Sequence, residues 1–133
     1  MDQKKLKNPS PRIKIIQKIY NSLMNQNTVI EFPKSQYKKF IKDVVTGTLE
    51  RSDLIEDQIK SYLAKDIDLT KTDKLLKIIL FAAVFELLFK HNNPKKVIIS
   101  EYLLASEHFL EKIQIGYLNA ILDKISKELR KDD

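Results

Sequence analysis

An all-α fold is predicted for this chain, and three features of the sequence predict it. Glycine, which β-turns favour, occurs only at Gly47 and Gly116 among 133 residues. Apolar residues recur at intervals of three and four along most of the chain. Hydrophobic residues make up 43% of the chain and charged residues 32%, which is typical of a globular protein. We therefore expect a single compact bundle of about six to seven helices.

The first helix is predicted to begin at Ser10 and Pro11, because serine is a preferred N-cap and proline suits the first helical position. Apolar side chains then follow helical spacing, and Lys14 and Lys18 lie among the polar residues of the opposite face. The helix is expected to end near Asn27, before a loop.

Ser35 is predicted to cap a second helix, whose apolar stripe runs from Tyr37 to Leu49. Gly47 lies within this helix, where glycine costs about 1 kcal/mol relative to alanine. A close contact with another helix is a physical reason for glycine there. A third helix is expected to start at Ser52 or Asp53.

Thr70 or Thr72 is expected to open a fourth helix, which is apolar almost all round from Leu75 to Phe89. Such a helix must be surrounded by others, and this one is too short to span a bilayer, which takes about 20 residues. The segment His91–Pro94 is predicted to end it. The remaining two helices are expected at about Lys96–Phe109 and Ile113–Arg130.

Positive charge is concentrated at the N-terminus of a chain whose net charge is +6. Its first twenty residues contain one acid, Asp2, and the basic residues Lys4, Lys5, Lys7, Arg12, Lys14 and Lys18. Residues 1–10 are interpreted as a basic arm and residues 11–133 as one helical domain. A basic arm that runs into a helix favours a polyanion such as nucleic acid. The alternative is a solvated tail that keeps the protein soluble.

The sequence offers no argument for an enzyme, a cofactor or a metal. Its two glycines are too far apart for a phosphate-binding loop, and it has no cysteine. His108 and Glu111 form a single His–carboxylate pair, whereas a dimetal bundle needs two such pairs and further glutamates. The absence of cysteine and of an apolar leader is consistent with the cytoplasm.

Glu86 is the one charged residue in the most apolar stretch of the chain. A buried carboxylate must be paired, or its pKa shifts until it becomes neutral. Two interpretations are open: an internal ion pair, or a contact for a basic partner protein.

Blocks along the chain resemble the NusB family of transcription antitermination factors. Ile79–Leu87 is similar to the family's I-L-R-x-A-x-Y-E-L, and Pro94–Phe109 to P-x-K-V-x-I-N-E-A-I-E-L-A-K-x-F. Gly116–Ile125 is similar to K-F-V-N-G-V-L-D-K-I. Arg12–Tyr20 and Phe40–Gly47 are similar to blocks of the family's first two helices. The blocks come in the family's order and spacing over about residues 11–130.

The resemblance implies two packed helical subdomains and a heterodimer with NusE, a small-subunit ribosomal protein. It implies that the pair binds the boxA element of nascent ribosomal-operon RNA and helps elongating RNA polymerase resist termination. Free members can also form homodimers through the partner surface. The partner-binding residues it implies are Tyr20, Phe85 and Glu86. The RNA-binding candidates are Lys4, Lys5, Lys7, Arg12, Lys14 and, as an aromatic platform for a base, Tyr117; a core position is the alternative for Tyr117.

The chain departs from the family pattern at several positions, which leaves other functions open. Phe81 replaces the family's arginine, Ala120 replaces a glycine, and Ile113–Gly116 replaces a polar stretch. One alternative is a helical interaction module that assists an RNA-modifying enzyme carried on another chain. A second is a related protein that has lost RNA binding.

Overall fold

A computed structural model describes residues 10–63 and 69–133. These residues form six α-helices and one short 3-10 helix, Leu69–Lys71, so the all-α prediction is confirmed. The α-helices are α1 (Pro11–Met24), α2 (Lys38–Glu50), α3 (Ser52–Tyr62), α4 (Lys74–Phe89), α5 (Lys95–Ser106) and α6 (Lys112–Leu129).

The start of α1 at Ser10 and Pro11 was predicted correctly. The Ser10 side chain accepts a hydrogen bond from the amide of Ile13, as expected for an N-cap. The predicted Ser35 cap is wrong, because Ser35 belongs to a turn and α2 begins only at Lys38. The predicted threonine caps of α4 are also wrong: Asp73 caps that helix and accepts a hydrogen bond from the amide of Leu76.

Helix α4 forms the centre of the bundle and contacts each of the other five α-helices. Its residues from Ile78 to Leu87 are all buried, on every side of the helix. Around it, α1 packs against α2, and α5 packs against α6. The prediction that other helices surround this segment is confirmed. Along the described ranges, no helix has both the length and the apolar character to cross a membrane.

Gly47 provides the close helix contact that its position in α2 predicted. A Cβ atom built on Gly47 would overlap the ring of Phe85 on α4. Phe85 is only 4% exposed, and its ring centroid lies 5.1 Å from that of Phe89. Since the ring fills the space of the missing side chain, α2 can lie directly against α4 at this point.

Arg130 binds backbone oxygens at the C-terminal end of α4. Its guanidinium donates hydrogen bonds to the backbone oxygens of Glu86, Leu87, Lys90 and Asn93, at 2.7–3.2 Å. The Leu87 oxygen has no partner within the helix, and the oxygens of Lys90 and Asn93 lie just beyond the helix end. These hydrogen bonds connect the C-terminal end of α6 to α4.

Candidate functional site

Arg12 and Glu86, assigned to different surfaces from the sequence, form a buried ion pair with each other. The Arg12 Nη2 donates to Glu86 Oε1 at 2.6 Å, and the Arg12 Nε donates to Oε2 at 3.1 Å. Their side chains are 9% and 0% exposed. This bidentate geometry matches the fork of a guanidinium to both oxygens of a carboxylate.

An amide, a second carboxylate and an aromatic ring lie close to the ion pair. The Asn93 amide donates to Glu86 Oε1 at 3.5 Å, and Glu101 Oε1 lies 3.8 Å from Arg12 Nη1. The Arg12 guanidinium lies 4.9 Å from the centroid of the Phe40 ring. Burial disfavours the charged guanidinium, but the hydrogen bond and charge of Glu86 outweigh it, so the pKa of Arg12 is raised.

The hydroxyl of Tyr102 lies fully buried beside this pair. It makes no hydrogen bond of ordinary geometry among the described residues. Burial and the negative charge of Glu86 raise the pKa of Tyr102 well above its ordinary value, although the charge of Arg12 acts in the opposite direction. The pair therefore sits in a closed polar pocket within the bundle.

Three residues predicted to bind RNA or a protein partner are buried in this structure. Arg12 was assigned to RNA and Glu86 to a protein partner, but each is buried and holds the other. Phe85 was also assigned to the partner, yet it lies against Gly47 in the core. Tyr20 is half-buried. Arg12, Glu86 and Phe85 contribute to the packing of α1 and α2 on α4, whereas the partner contact of Tyr20 stays a prediction.

An apolar cleft opens beside this core, between the first four helices. Its volume is about 390 Å³, and Ile19, Leu23, Ile78 and Phe81 supply its apolar wall. The hydroxyl of Thr48, which also lines the cleft, is buried without a hydrogen-bond partner among the described residues. Charged side chains line the cleft as well: Asp53, Glu56, Lys74 and Lys77. We call this feature the α1–α4 cleft.

A second surface feature surrounds the predicted RNA-binding residue Lys14. It is a cavity of about 260 Å³ between α1 and the segment that leads into α2. Four lysines line it, together with amide, hydroxyl and apolar side chains; the lysines are Lys14, Lys18, Lys34 and Lys38. We call it the lysine groove. The sequence pattern placed Lys14 and Lys18 on one face of α1. It did not predict that Lys34 and Lys38 lie near them, because that proximity depends on the folded path of the connection between α1 and α2.

Tyr117 lies on the surface of α6, with 39% of its area exposed. Ile113, one turn earlier, is 85% exposed, and Gly116 and Ala120 are exposed on the same side of the helix. The core interpretation of Tyr117 is therefore wrong. Helix α6 packs against α3, α4 and α5, so Tyr117 is not part of the lysine groove. Lys4, Lys5 and Lys7 lie outside the described residues.

Comparison with known proteins gives one consistent result. The model of the NusB family matches residues 5–127 of this chain. The transcription antitermination protein NusB of Rhodopseudomonas palustris strain HaA2 is 33% identical over 94 residues, which cover 71% of this chain and 56% of that protein. The protein of the same name from Rickettsia massiliae strain Mtu5 is 30% identical over 122 residues, which cover 86% and 76%.

Two further facts define the extent of these similarities. The chain spans about half the length of the Rhodopseudomonas palustris relatives it matches. The solved structure of NusB from Thermotoga maritima has a TM-score of 0.77 to this chain, at 22% identity and with 89% of each chain covered. That structure shows that the two chains share a fold.

Proposed function

The chain belongs to the NusB family, and we propose that it acts as an RNA-binding transcription antitermination factor and not as an enzyme. In this proposal it binds boxA RNA of ribosomal operons together with NusE, in the cytoplasm, and helps the elongating RNA polymerase resist termination. The observation that carries the proposal is the family match over residues 5–127. The curated relatives carry the name transcription antitermination protein.

RNA binding is supported by the distribution of positive charge and by one exposed aromatic ring. Lys4, Lys5 and Lys7 form the basic arm, and Lys14 continues it one turn into α1. Lysines attract phosphates without base specificity, because the attraction is between charges. Tyr117 presents a ring on which an unpaired base can stack.

We assign the NusE contact to the α1–α4 cleft in place of the buried Phe85 and Glu86. The cleft has an apolar wall that includes Leu23, which is 39% exposed. Asp53 and Glu56 line the cleft together with Lys74 and Lys77. A ribosomal protein is expected to be basic, so Asp53 and Glu56 can pair with its basic side chains.

The proposal is tested by measuring the affinity for boxA RNA and for a scrambled RNA, each with and without NusE. We expect boxA to bind more tightly than the scrambled sequence, and NusE to increase the difference. Leu23→Asp should weaken NusE binding at least tenfold, because it places a charge on the apolar wall. Leu104→Asp is the matched control, since Leu104 is an exposed leucine of α5 that does not line the cleft.

The outcomes separate this proposal from its alternatives. RNA binding that is absent both with and without NusE would contradict it and favour an interaction module without RNA binding. Normal NusE binding by Leu23→Asp would remove the cleft from the interface. Both leucine variants must keep the melting temperature of the wild type within a few degrees, since surface substitutions usually change stability by about 0.5 kcal/mol or less.

A further inference from the structure

We propose that the lysine groove binds the sugar–phosphate backbone of a single RNA strand that continues from the N-terminal arm. The inference rests on the proposed RNA binding of this chain and adds a site to it. The groove brings together side chains from α1 and from the connection to α2, which are distant in sequence.

The positive charge of the groove is not neutralised by neighbouring acids. Among the residues that the structure describes, the ammonium groups of Lys14, Lys18, Lys34 and Lys38 form no salt bridge. No carboxylate is found among the described residues that line the groove. Some surface lysines elsewhere in the described structure do have an acidic partner, as Lys90 has Asp43 and Lys127 has Asp123. Four unpaired cations in one concave surface repel each other, and a bound polyanion relieves that repulsion.

The position of Lys18 is fixed before any ligand binds. Its Nζ donates a hydrogen bond to the backbone oxygen of Glu31 at 2.6 Å and lies 5.4 Å from the centroid of the Phe32 ring. Both contacts leave N–H donors of the ammonium group free, because it carries three. A charge held in place loses little conformational entropy on binding, which favours affinity.

The groove continues into a second cavity, which suits a strand better than a small anion. The second cavity has a volume of about 530 Å³ and shares Lys18 and Asn21 with the lysine groove. Its wall includes Asn25, Ser22 and Thr28, whose amide and hydroxyl groups can hydrogen-bond to bases and riboses. Glu31 also lines this second cavity, so the phosphate contacts are assigned to the lysine groove and not to the second cavity. A basic groove that follows the backbone, flanked by polar side chains, is typical of single-strand binding.

Among the residues that line the groove, Lys14 is the nearest in sequence to the arm. Lys14 and Lys18 lie one turn apart on α1, so their Cβ atoms are about 5–6 Å apart. Lys14 itself lies one turn from Ser10, where the described chain begins. The side chain of Tyr37, at the N-cap of α2, caps no backbone amide of that helix, and an uncapped helix start also favours a phosphate.

The test compares two triple variants with the wild type. The groove variant is Lys18→Gln, Lys34→Gln and Lys38→Gln. The control is Lys71→Gln, Lys96→Gln and Lys124→Gln, which removes the same charge at three exposed lysines outside the groove. Binding of a single-stranded boxA RNA is measured at several salt concentrations. The groove variant should bind at least tenfold more weakly at low salt, and its slope of log K against log salt should fall by about 2, or about 0.7 for each lost phosphate contact. The control should stay within threefold of the wild type.

Four outcomes would overturn the inference, and only the absence of RNA binding by the wild type would also contradict the proposed function. If the wild type binds RNA and the groove variant keeps its affinity and slope, the groove is not part of the RNA path, although the proposed function stands. If the wild type binds no RNA, the proposed function fails first. Competition by pyrophosphate or AMP as strongly as by RNA would make this a small-anion site, and equal competition by polyglutamate would make it a site for acidic protein. In the wild type, RNA should also shift the amide resonances of Lys34 and Lys38.

Discussion

The carboxylate of Glu86 on α4 is held by the guanidinium of Arg12 on α1 through hydrogen bonds of 2.6 and 3.1 Å. The two residues are 74 positions apart, and both side chains are almost completely removed from water. Two charges at such a depth are tolerated because each satisfies the other. The pair therefore joins the first helix to the centre of the bundle.

Breaking this pair should destabilise the fold. We expect Glu86→Ala or Arg12→Ala to lower the free energy of unfolding by about 3–5 kcal/mol, because either change leaves an unpaired buried charge. Removing both side chains, in Arg12→Met with Glu86→Leu, should cost less than the sum of the single changes. Urea unfolding measures all of them.

The exposed pair Lys127–Asp123 provides the control, since its side chains are 68% and 60% exposed. Lys127→Ala should cost less than about 1 kcal/mol. A second measurement addresses Glu86 as a partner contact: a Glu86→Lys variant that keeps the wild-type melting temperature but loses NusE binding would contradict the structural role assigned here.

Gly47 and Gly116 should respond in opposite directions to the same substitution. Gly47→Ala should destabilise the protein by about 1–3 kcal/mol, because the new methyl group meets the buried Phe85 ring. Gly116→Ala should stabilise it by about 0.5–1 kcal/mol, since nothing lies within 4 Å of its Cβ position and alanine favours a helix. Thermal unfolding of the two variants distinguishes these effects. Equal effects of the two substitutions would show that α2 does not lie against Phe85.

Tyr102 should make stability depend on pH in the alkaline range. Burial and the charge of Glu86 raise the pKa of its hydroxyl in the folded protein above the ordinary value of 10.0. The folded protein then holds this proton more tightly than the unfolded chain, so the stabilisation is present below pH 10 and is lost as the pH rises above it. Tyr102→Phe should flatten this decrease.

At neutral pH the same variant removes a buried hydroxyl that has no hydrogen-bond partner in the described structure. Tyr102→Phe should therefore be neutral or slightly stabilising at pH 7. Tyr37→Phe, at a residue that is 48% exposed, is the matched control. A loss of about 2 kcal/mol at pH 7 would mean that the Tyr102 hydroxyl is bonded to the ion pair.

The sequence predicted the fold well because local patterns carry that information. A helix that is apolar all round must be central, and α4 is. A glycine inside a helix indicated close packing, and Gly47 meets Phe85. The start of α4 was less predictable, because Thr70, Thr72 and Asp73 are all acceptable N-caps and only the folded chain selects one.

The candidate site was less predictable, because it depends on which side chains meet after folding. The partner of Glu86 is on another helix, so the sequence left an internal pair and a partner contact equally open. From the sequence, Arg12 was grouped with the lysines of the basic N-terminus. In the structure it is the second residue of α1, and its side chain is buried in the core. Lys34 and Lys38 join Lys14 only through the path of the connection between α1 and α2.

The basic arm should contribute to RNA affinity through charge alone. Replacing Lys4, Lys5 and Lys7 by glutamine should weaken binding to boxA and to scrambled RNA by the same factor. The slope of log K against log salt should fall by about 0.7 for each phosphate contact that is lost. Arg12 is left intact in this variant, because its loss would disturb the fold. An unchanged salt slope would mean that the arm does not contact RNA.

Tyr117 should contribute to RNA binding by stacking on an unpaired base, since its ring is exposed on α6. Tyr117→Ala should weaken binding of single-stranded boxA RNA by about 1–3 kcal/mol, whereas Tyr117→Phe should keep most of the affinity, because phenylalanine retains the ring. Leu104→Ala is the control, because Leu104 is exposed and apolar but has no aromatic ring.

Since Tyr117 lies at the surface, its replacement by alanine should leave the melting temperature nearly unchanged. Fluorescence titration with the three variants measures the effect. Wild-type affinity in a folded Tyr117→Ala protein would exclude stacking, and equal losses in Tyr117→Ala and Tyr117→Phe would assign the contact to the hydroxyl group.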